Sequence, residues 1–381
     1  MEFSIENALR KYFAKTIGTE GKSKFLRFVQ DEDTNDVPEH TLNYSRGKIC
    51  YEKDGKTYFS QNLFLKLMND TASARIHEVK VPKGLQTVIF LNELFFYTSM
   101  KPFFDSFRKM DDLLVPFNYT SIEGTFESNF GILIFDDMKT KEFVSWTKQY
   151  LDYDHLALLL RKIGQFHAYS FQAKKKNPAT FFRFGEFFID SMGAGVSFSK
   201  TWMQNHLKTT IKYLYNDSRY DLPLKTLDEI LENLPNFYRN ITNLDNDNEM
   251  VVLAHQACKS ENILFRYEND KLTDLKILDW QTCRLTSLAT DIITVLYLEA
   301  SQQMREKKWD SLIDEYYAGL NQVFTDNDIP SRDAIREEIE TRLPYLLVIL
   351  TQKFLKQKTD ITHQLTEIIK DLLQRLINRK V

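Results

Sequence analysis

The chain has 381 residues, 43% of them apolar and 27% charged, enough to bury the core of two domains or of one bilobal enzyme. Lys and Arg number 50 against 53 Asp and Glu, a net charge of -3 that gives no electrostatic ground for a nucleic-acid partner. Its 3 cysteines, Cys50, Cys258 and Cys283, are too few and too scattered for a disulfide framework, so a reducing compartment and a cytoplasmic location are expected.

The first residues carry acid and no apolar run of the signal-peptide kind. Residues 3–15 have the spacing of an amphipathic helix. Residues 48–52 and 56–60 flank Asp54-Gly55, and Asp-Gly accepts the positive φ angles of a tight hairpin turn. Residues 63–68 read as a strand with one charged residue, Lys66. Residues 86–100 read as a helix with Val88, Leu91, Leu94 and Phe95 on one face and Glu93 beside it. Residues 131–135 form a short buried strand that runs into Asp136-Asp137.

Beyond about residue 140 the pattern is mainly helical. Leu156, Leu159, Leu160, Ile163, Phe166 and His167 recur at helical spacing, and the helix closes at Lys174-Lys-Lys176, where cations suit the C-terminal end of the helix dipole. Residues 200–245, 288–321 and 332–378 read as further helix, with short strands at 251–253, 263–267 and 275–278. The longest apolar run, near residues 345–350, is far too short for a membrane span.

The chemistry-bearing pattern is His255-Gln-Ala-Cys-Lys-Ser-Glu-Asn262 followed by Leu278-Asp-Trp-Gln281. In kinase catalytic loops a His is followed two positions on by the Asp that accepts the substrate proton, and an Asn follows that Asp by five positions. His255 and Asn262 keep this spacing, and the position of the Asp holds Ala257. Phosphoryl transfer needs a cation on the phosphates, a carboxylate and a second ligand on Mg²⁺, and a proton acceptor. Lys66 suits the first role, with Glu93 on the next helix to orient it. Asp279 and Asn262 stand at the positions of the metal ligands, and the fourth position is vacant.

Each residue also has an ordinary reading. Lys66 and Glu93 suit a surface pair, and Asn262 and Asp279 suit turns. His255 braces such loops rather than taking the proton, and His167 beside Phe166 suits a packed core. Glu261 is a substitute carboxylate only if it reaches across the loop; otherwise it is a solvated charge. Zinc on His255, Cys258 and Cys283 lacks a fourth ligand at regular spacing.

Taken in order, the segments resemble the ecdysteroid kinase-like family, relatives of choline and aminoglycoside kinases, over roughly residues 45–325. The carriers are Asn62-Leu-Phe-Leu-Lys66, Glu93-Leu-Phe-Phe-Tyr97 with Pro102, Gly131-Ile-Leu-Ile-Phe-Asp-Asp137, Gly164-Gln-Phe-His-Ala-Tyr-Ser170, Leu278-Asp-Trp-Gln281 and Thr290-Asp-Ile292. The family loop reads His-Gly-Asp-x-Trp-x-Asn-Asn. This chain departs from it at Gln256, Ala257, Lys259 and Glu261.

The resemblance implies an α+β, bilobal, protein-kinase-like fold. A small sheet-plus-helix lobe is expected at 1–137 and a larger, mainly helical lobe at 138–381, with nucleotide in the cleft between them. It implies ATP- and Mg²⁺-dependent phosphorylation of a hydroxyl on a small molecule such as a steroid or amino alcohol, without a nucleic-acid partner or a membrane span. The vacancy at Ala257 sets an alternative beside it: a pseudokinase that binds nucleotide, small molecule or partner without turnover. A protein of this fold that binds no nucleotide at all is disfavoured by Lys66, Asn262 and Asp279.

Overall fold

The amphipathic opening segment forms α1 (Ile5–Thr16), whose Ala8, Leu9, Tyr12 and Phe13 are buried. It is followed by β1 (Ser23–Gln30), β2 (Asn43–Lys53), β3 (Lys56–Phe59), β4 (Leu63–Asn69) and two minimal strands, β5 (Arg75–Ile76) and β6 (Val79–Lys80). Next come α2 (Leu85–Phe95), a π-helical turn at Phe96–Met100, α3 (Lys101–Asp105), β7 (Phe117–Gly124), β8 (Asn129–Asp136) and β9 (Phe143–Ser145). The remainder comprises α4 (Tyr153–Lys176), α5 (Pro178–Gly185), α6 (Asp221–Glu232), α7 (Leu234–Thr242), β10 (Val251–Ala254), β11 (Ile263–Glu268), β12 (Lys271–Ile277), β13 (Arg284–Ser287), α8 (Ala289–Leu298), α9 (Gln302–Val323) and α10 (Arg332–Arg342). The computed structural model describes residues 5–20, 23–31, 43–69, 75–76, 79–80, 84–124, 129–193, 196, 221–245, 248–323, 329–350 and 368–373.

Two compact units result. The first comprises Met1–Pro102, Met110–Val144 and Leu264–Gln281; the second comprises Phe103–Lys109, Ser145–Ile263 and Thr282–Val381. The fold is α+β, with antiparallel strands dominating the first unit and helices the second.

The sheet of the first unit runs β1-β2-β4-β8-β7, all antiparallel, with β3 hairpinned onto β2. The hairpin turns where the Asp-Gly pair predicts it: Asp54 and Gly55 have φ of 51° and 72°. Because side chains alternate along a strand, the sheet has two distinct faces. Ile49, Leu63, Leu65, Ile132 and Ile134 point to one face and pack with α1. Phe64 and Lys66 therefore point to the other.

Helix α2 forms as the sequence predicts, but with a different face inward. Leu91 is exposed, and Val88, Leu94 and Phe95 are only half-buried, while Ile89, Phe90, Asn92 and Glu93 are buried. The apolar stripe misleads because two polar side chains on the inner face have partners there. Gly131 on β8 makes room for the helix: a Cβ at that position would lie 2.5 Å from the Phe90 ring.

In the second unit α4 and α9 touch backbone to backbone. A Cβ on Gly164 would lie 2.1 Å from the Tyr316 carbonyl oxygen, and one on Gly319 would lie 2.0 Å from that of Arg161. Helix α4 starts on Asp152, whose carboxylate accepts the His155 N–H, and ends before Pro178, which opens α5. Strands β1, β5, β6, β7, β9 and β13 are additions to the sequence reading. The helical expectations at 200–220, 351–367 and 374–378 lie outside the described residues. Among the described residues no helix is long and apolar enough to cross a membrane.

Candidate active site

In the first unit the sequence-predicted residues converge on one ammonium. Lys66 is 3% exposed, and its Nζ bonds both Glu93 on α2 and Asp279 after β12. Strand alternation aims Lys66 away from the α1 core, and α2 lies along the face it points to. Burial alone would pull the lysine pKa down. Asp279 and Glu93 together outweigh that and hold it well above the ordinary value. Burial pushes the Glu93 carboxyl up, opposed by Lys66 and reinforced by Asp279. One ammonium thus faces two carboxyl groups, and burial works against charge on Glu93.

Residues that the spacing did not single out fasten this cluster. Asn92 donates to the Gln281 carbonyl at 3.0 Å, and the Gln281 side chain donates to the second oxygen of Asp279. Phe96 lies flat on Trp280, ring centroids 4.0 Å apart and planes 2° from parallel. Asp279 has φ of 68°, a left-handed conformation that Asp tolerates better than most residues and that aims its carboxylate back at Lys66. The signal for Asn92 and Phe96 was their spacing from Glu93, at -1 and +3, which puts them on the same inward side of the helix.

In the second unit the catalytic-type loop is built on a buried carboxylate. Asp291, on α8, accepts the backbone N–H of His255 at 2.7 Å and of Gln256 at 2.6 Å, and its Oδ2 lies 3.1 Å from His167 Nε2. The other ring nitrogen of His167 lies 2.9 Å from the Tyr316 hydroxyl. Burial opposes ionisation of Asp291, but the hydrogen bond from His167 and the neighbouring imidazoles hold its pKa below the ordinary carboxylate value. His167 is thus a satisfied core histidine, in line with its ordinary reading.

The loop itself is closed by the Ala257 N–H donating to His255 Nδ1 at 3.2 Å and by Thr282 Oγ1 donating to the His255 carbonyl at 2.8 Å. Asn262 Nδ2 donates to the Ala257 carbonyl at 3.0 Å, so its amide oxygen is turned away from that carbonyl. At position 257 there is only a methyl group. Gln256 is fully buried with φ of 62°, and its Oε1 has no hydrogen-bond partner. Glu261 pairs with Lys259 at 2.6 Å with 43% of its side chain exposed, the solvated-charge reading. Cys258 is buried, which pushes its thiol pKa well up, and no group of three or more His, Cys, Asp or Glu among the described residues could hold a metal.

The model of the ecdysteroid kinase-like family matches residues 45–327. The chain belongs to that family. No curated protein matches the sequence. Among solved structures, a wild-type aminoglycoside 2'-phosphotransferase-IIIa in its GDP complex is 10% identical over 98% of this chain and 99% of its own, with a TM-score of 0.39. Choline kinase LicA from Streptococcus pneumoniae is 11% identical over 96% and 99%, with a TM-score of 0.37. A microcompartment-associated aminopropanol kinase is 11% identical over 90% and 92%, also at 0.37.

Proposed function

We propose that this protein is a small-molecule phosphotransferase with an impaired catalytic loop. It takes the terminal phosphoryl group of a nucleoside triphosphate, ATP being the donor that the family resemblance implies, and passes it to a hydroxyl of a small substrate such as a steroid or amino alcohol. The observation that carries this reading is Lys66, buried between Glu93 and Asp279. A buried ammonium held by one helix carboxylate and one loop carboxylate is poised to exchange Asp279 for phosphate oxygens.

Glu93 orients Lys66, Lys66 binds the phosphates, and Asp279 and Asn262 offer oxygen ligands of the kind a divalent cation takes. Two carboxyl groups beside one ammonium suit such an ion, and Mg²⁺ when bound would neutralise charge on the transferring phosphoryl group. His255 braces the loop through Thr282 and Asp291. Ala257 accepts no proton, so the substrate hydroxyl must release its proton to water. Loss of a general base typically slows such chemistry by about 10²–10⁴-fold.

The methyl group at 257 favours a second reading, a nucleotide-binding pseudokinase of the cytoplasm that recruits a small molecule or partner without turnover. Calorimetry with ATP, with and without Mg²⁺, followed by a phosphotransfer assay on steroid and amino-alcohol substrates, separates the two. Mg²⁺-dependent binding with slow turnover supports the phosphotransferase, and binding without turnover supports the pseudokinase. Absence of binding at millimolar ATP removes both.

A further inference from the structure

On the second unit a row of phenyl rings reaches the surface with a cation over each end. Residues 103–109 and 174–190 hold eight of the chain's 29 phenylalanines, and six Lys and Arg against three Asp and Glu, in a chain where acids outnumber bases by 53 to 50. The fold lays these two stretches side by side. Phe103 meets Phe107 edge-on at 5.1 Å and Phe184 at 5.5 Å. Lys176 stands over Phe107 at 5.1 Å, and the Arg183 guanidinium lies 5.9 Å from the Phe184 ring. Helix α5 is turned so that Phe181, Gly185 and Phe188, spaced i, i+4, i+7, face inward. Those two phenylalanines are buried, and a Cβ on Gly185 would lie 2.0 Å from Leu285. Arg183, Phe184 and Phe187 are left on the outer side. The rings of the row are half-buried, but Phe187 is 59% exposed and Ile189 47%. Lys109, Lys175, Lys176 and Arg183 are exposed on the same two stretches. Of the three acids, Asp190 is paired with Arg284 at 2.6 Å and Asp105 is half-buried, so Glu186 is the exposed one.

We propose that this face docks the protein on an anionic phospholipid surface, with Phe187 and Ile189 entering the headgroup layer and the neighbouring cations on the lipid phosphates and carboxylates. Exposed apolar side chains gathered in one patch mark an interaction surface, and a bilayer interface takes them out of water without demanding a shaped pocket. The charges select the sign of that surface: each Lys or Arg close to an anionic leaflet strengthens binding about fivefold. Apolar insertion and polybasic attraction are weak singly and together give reversible attachment. Lys and Arg suit such a layer, because their stems lie along the rings while the charged heads stay wet, as Lys176 does on Phe107 and Arg183 on Phe184. The chain's net charge of -3 does not oppose this, since acids more than a Debye length away, about 8–10 Å, are screened. Attachment is peripheral and uses no spanning helix.

The test is co-sedimentation of the intact chain with vesicles of phosphatidylcholine and phosphatidylserine in equal parts, and with vesicles of phosphatidylcholine alone, with circular dichroism as the check on folding. Wild type is expected to bind the mixed vesicles more than about tenfold tighter than the neutral ones. Lys176→Gln with Arg183→Gln should weaken that binding about twentyfold to thirtyfold. Phe187→Ser, at an exposed position where folding loses little, should weaken it about tenfold. The control is Lys307→Gln with Lys308→Gln. Lys308 stands over Tyr153 at the opposite end of α4, whose 24 residues put about 35 Å between that end and Lys176. The control pair should stay within about twofold of wild type. Absence of a preference for the anionic vesicles overturns the proposal, and so does an equal loss in the control pair, which makes the attraction a property of the whole chain. Wild-type binding by Phe187→Ser also overturns it, as does release of the protein from vesicles by polyglutamate as readily as by further vesicles of equal charge. The face then reads charge alone, as an acidic protein partner requires.

Discussion

Phe96 and Trp280 stack face to face at 4.0 Å, joining the π-helical turn after α2 to the segment that carries Asp279. Trp280 is completely buried. The stack, together with the Asn92 bond to the Gln281 carbonyl, holds Glu93 and Asp279 on either side of Lys66. Trp280→Ala should cost about 3–5 kcal/mol in urea unfolding, by cavity formation and loss of ring contact. Trp280→Phe should cost distinctly less, and equal losses for the two would mean that the stack has no special part.

The charge cluster makes a prediction of its own. Removing the Lys66 ammonium strands two buried carboxylates, so Lys66→Met should destabilise the chain by about 3–5 kcal/mol. Adding Glu93→Gln should recover part of that loss, because one unpaired charge is then removed. A double-mutant cycle read by urea midpoints measures the coupling. Strictly additive losses would show that the two side chains do not act as a pair.

Asp291 ties stability to acid. Its pKa in the folded chain lies below the ordinary value of 3.8. Its contribution is therefore complete above that value and drains away as the pH falls toward the folded pKa. Asp291→Asn should lose about 3 kcal/mol at pH 7. Below about pH 4 the gap between wild type and variant should narrow. A gap that stays constant from pH 7 to pH 3 contradicts the role given to this carboxylate.

Gly164 and Gly319 let two helices touch, so an added methyl group should be costly out of proportion to its size. Gly164→Ala meets the Tyr316 carbonyl oxygen at 2.1 Å, which is backbone and cannot swing aside. The higher helix propensity of Ala would contribute roughly 1 kcal/mol in the opposite direction. Overpacking by about 1–3 kcal/mol should outweigh it. A thermal midpoint higher than wild type would show that the helices separate without loss.

The vacancy in the catalytic loop is tested by filling it. Ala257→Asp puts a carboxylate five residues before Asn262, and Gln256→Gly suits the left-handed φ of 62° at that position. The double variant should phosphorylate a hydroxyl substrate about 10²–10⁴-fold faster than wild type. Lys259 is already paired with Glu261, which limits its hold on a new Asp. If wild type turns over at an ordinary kinase rate of about 1–100 s⁻¹, another group takes the proton and the site is not impaired.

Local chemistry made much of this protein legible from the sequence. Asp54-Gly55 specified its hairpin because few residue pairs accept two positive φ angles. The spacing of His255, Asn262 and Asp279, together with the order of the matching segments, identified the family, because loop geometry fixes how far apart such residues stand along the chain. Lys66 stood out as the one charge in an apolar strand. Tertiary structure alone decided the rest. The stripe of Val88, Leu91, Leu94 and Phe95 pointed to the wrong face of α2, because burial of Asn92 and Glu93 depends on partners far along the chain, Gln281 and Trp280. Asp291 was visible only as a motif match; its role in gathering the backbone of His255 and Gln256 follows from an acceptor that the chain brings back from 36 and 35 residues further on. Periodicity records which residues avoid water, whereas polar pairing at long range depends on which strands and helices become neighbours, and the sequence states that only through the fold.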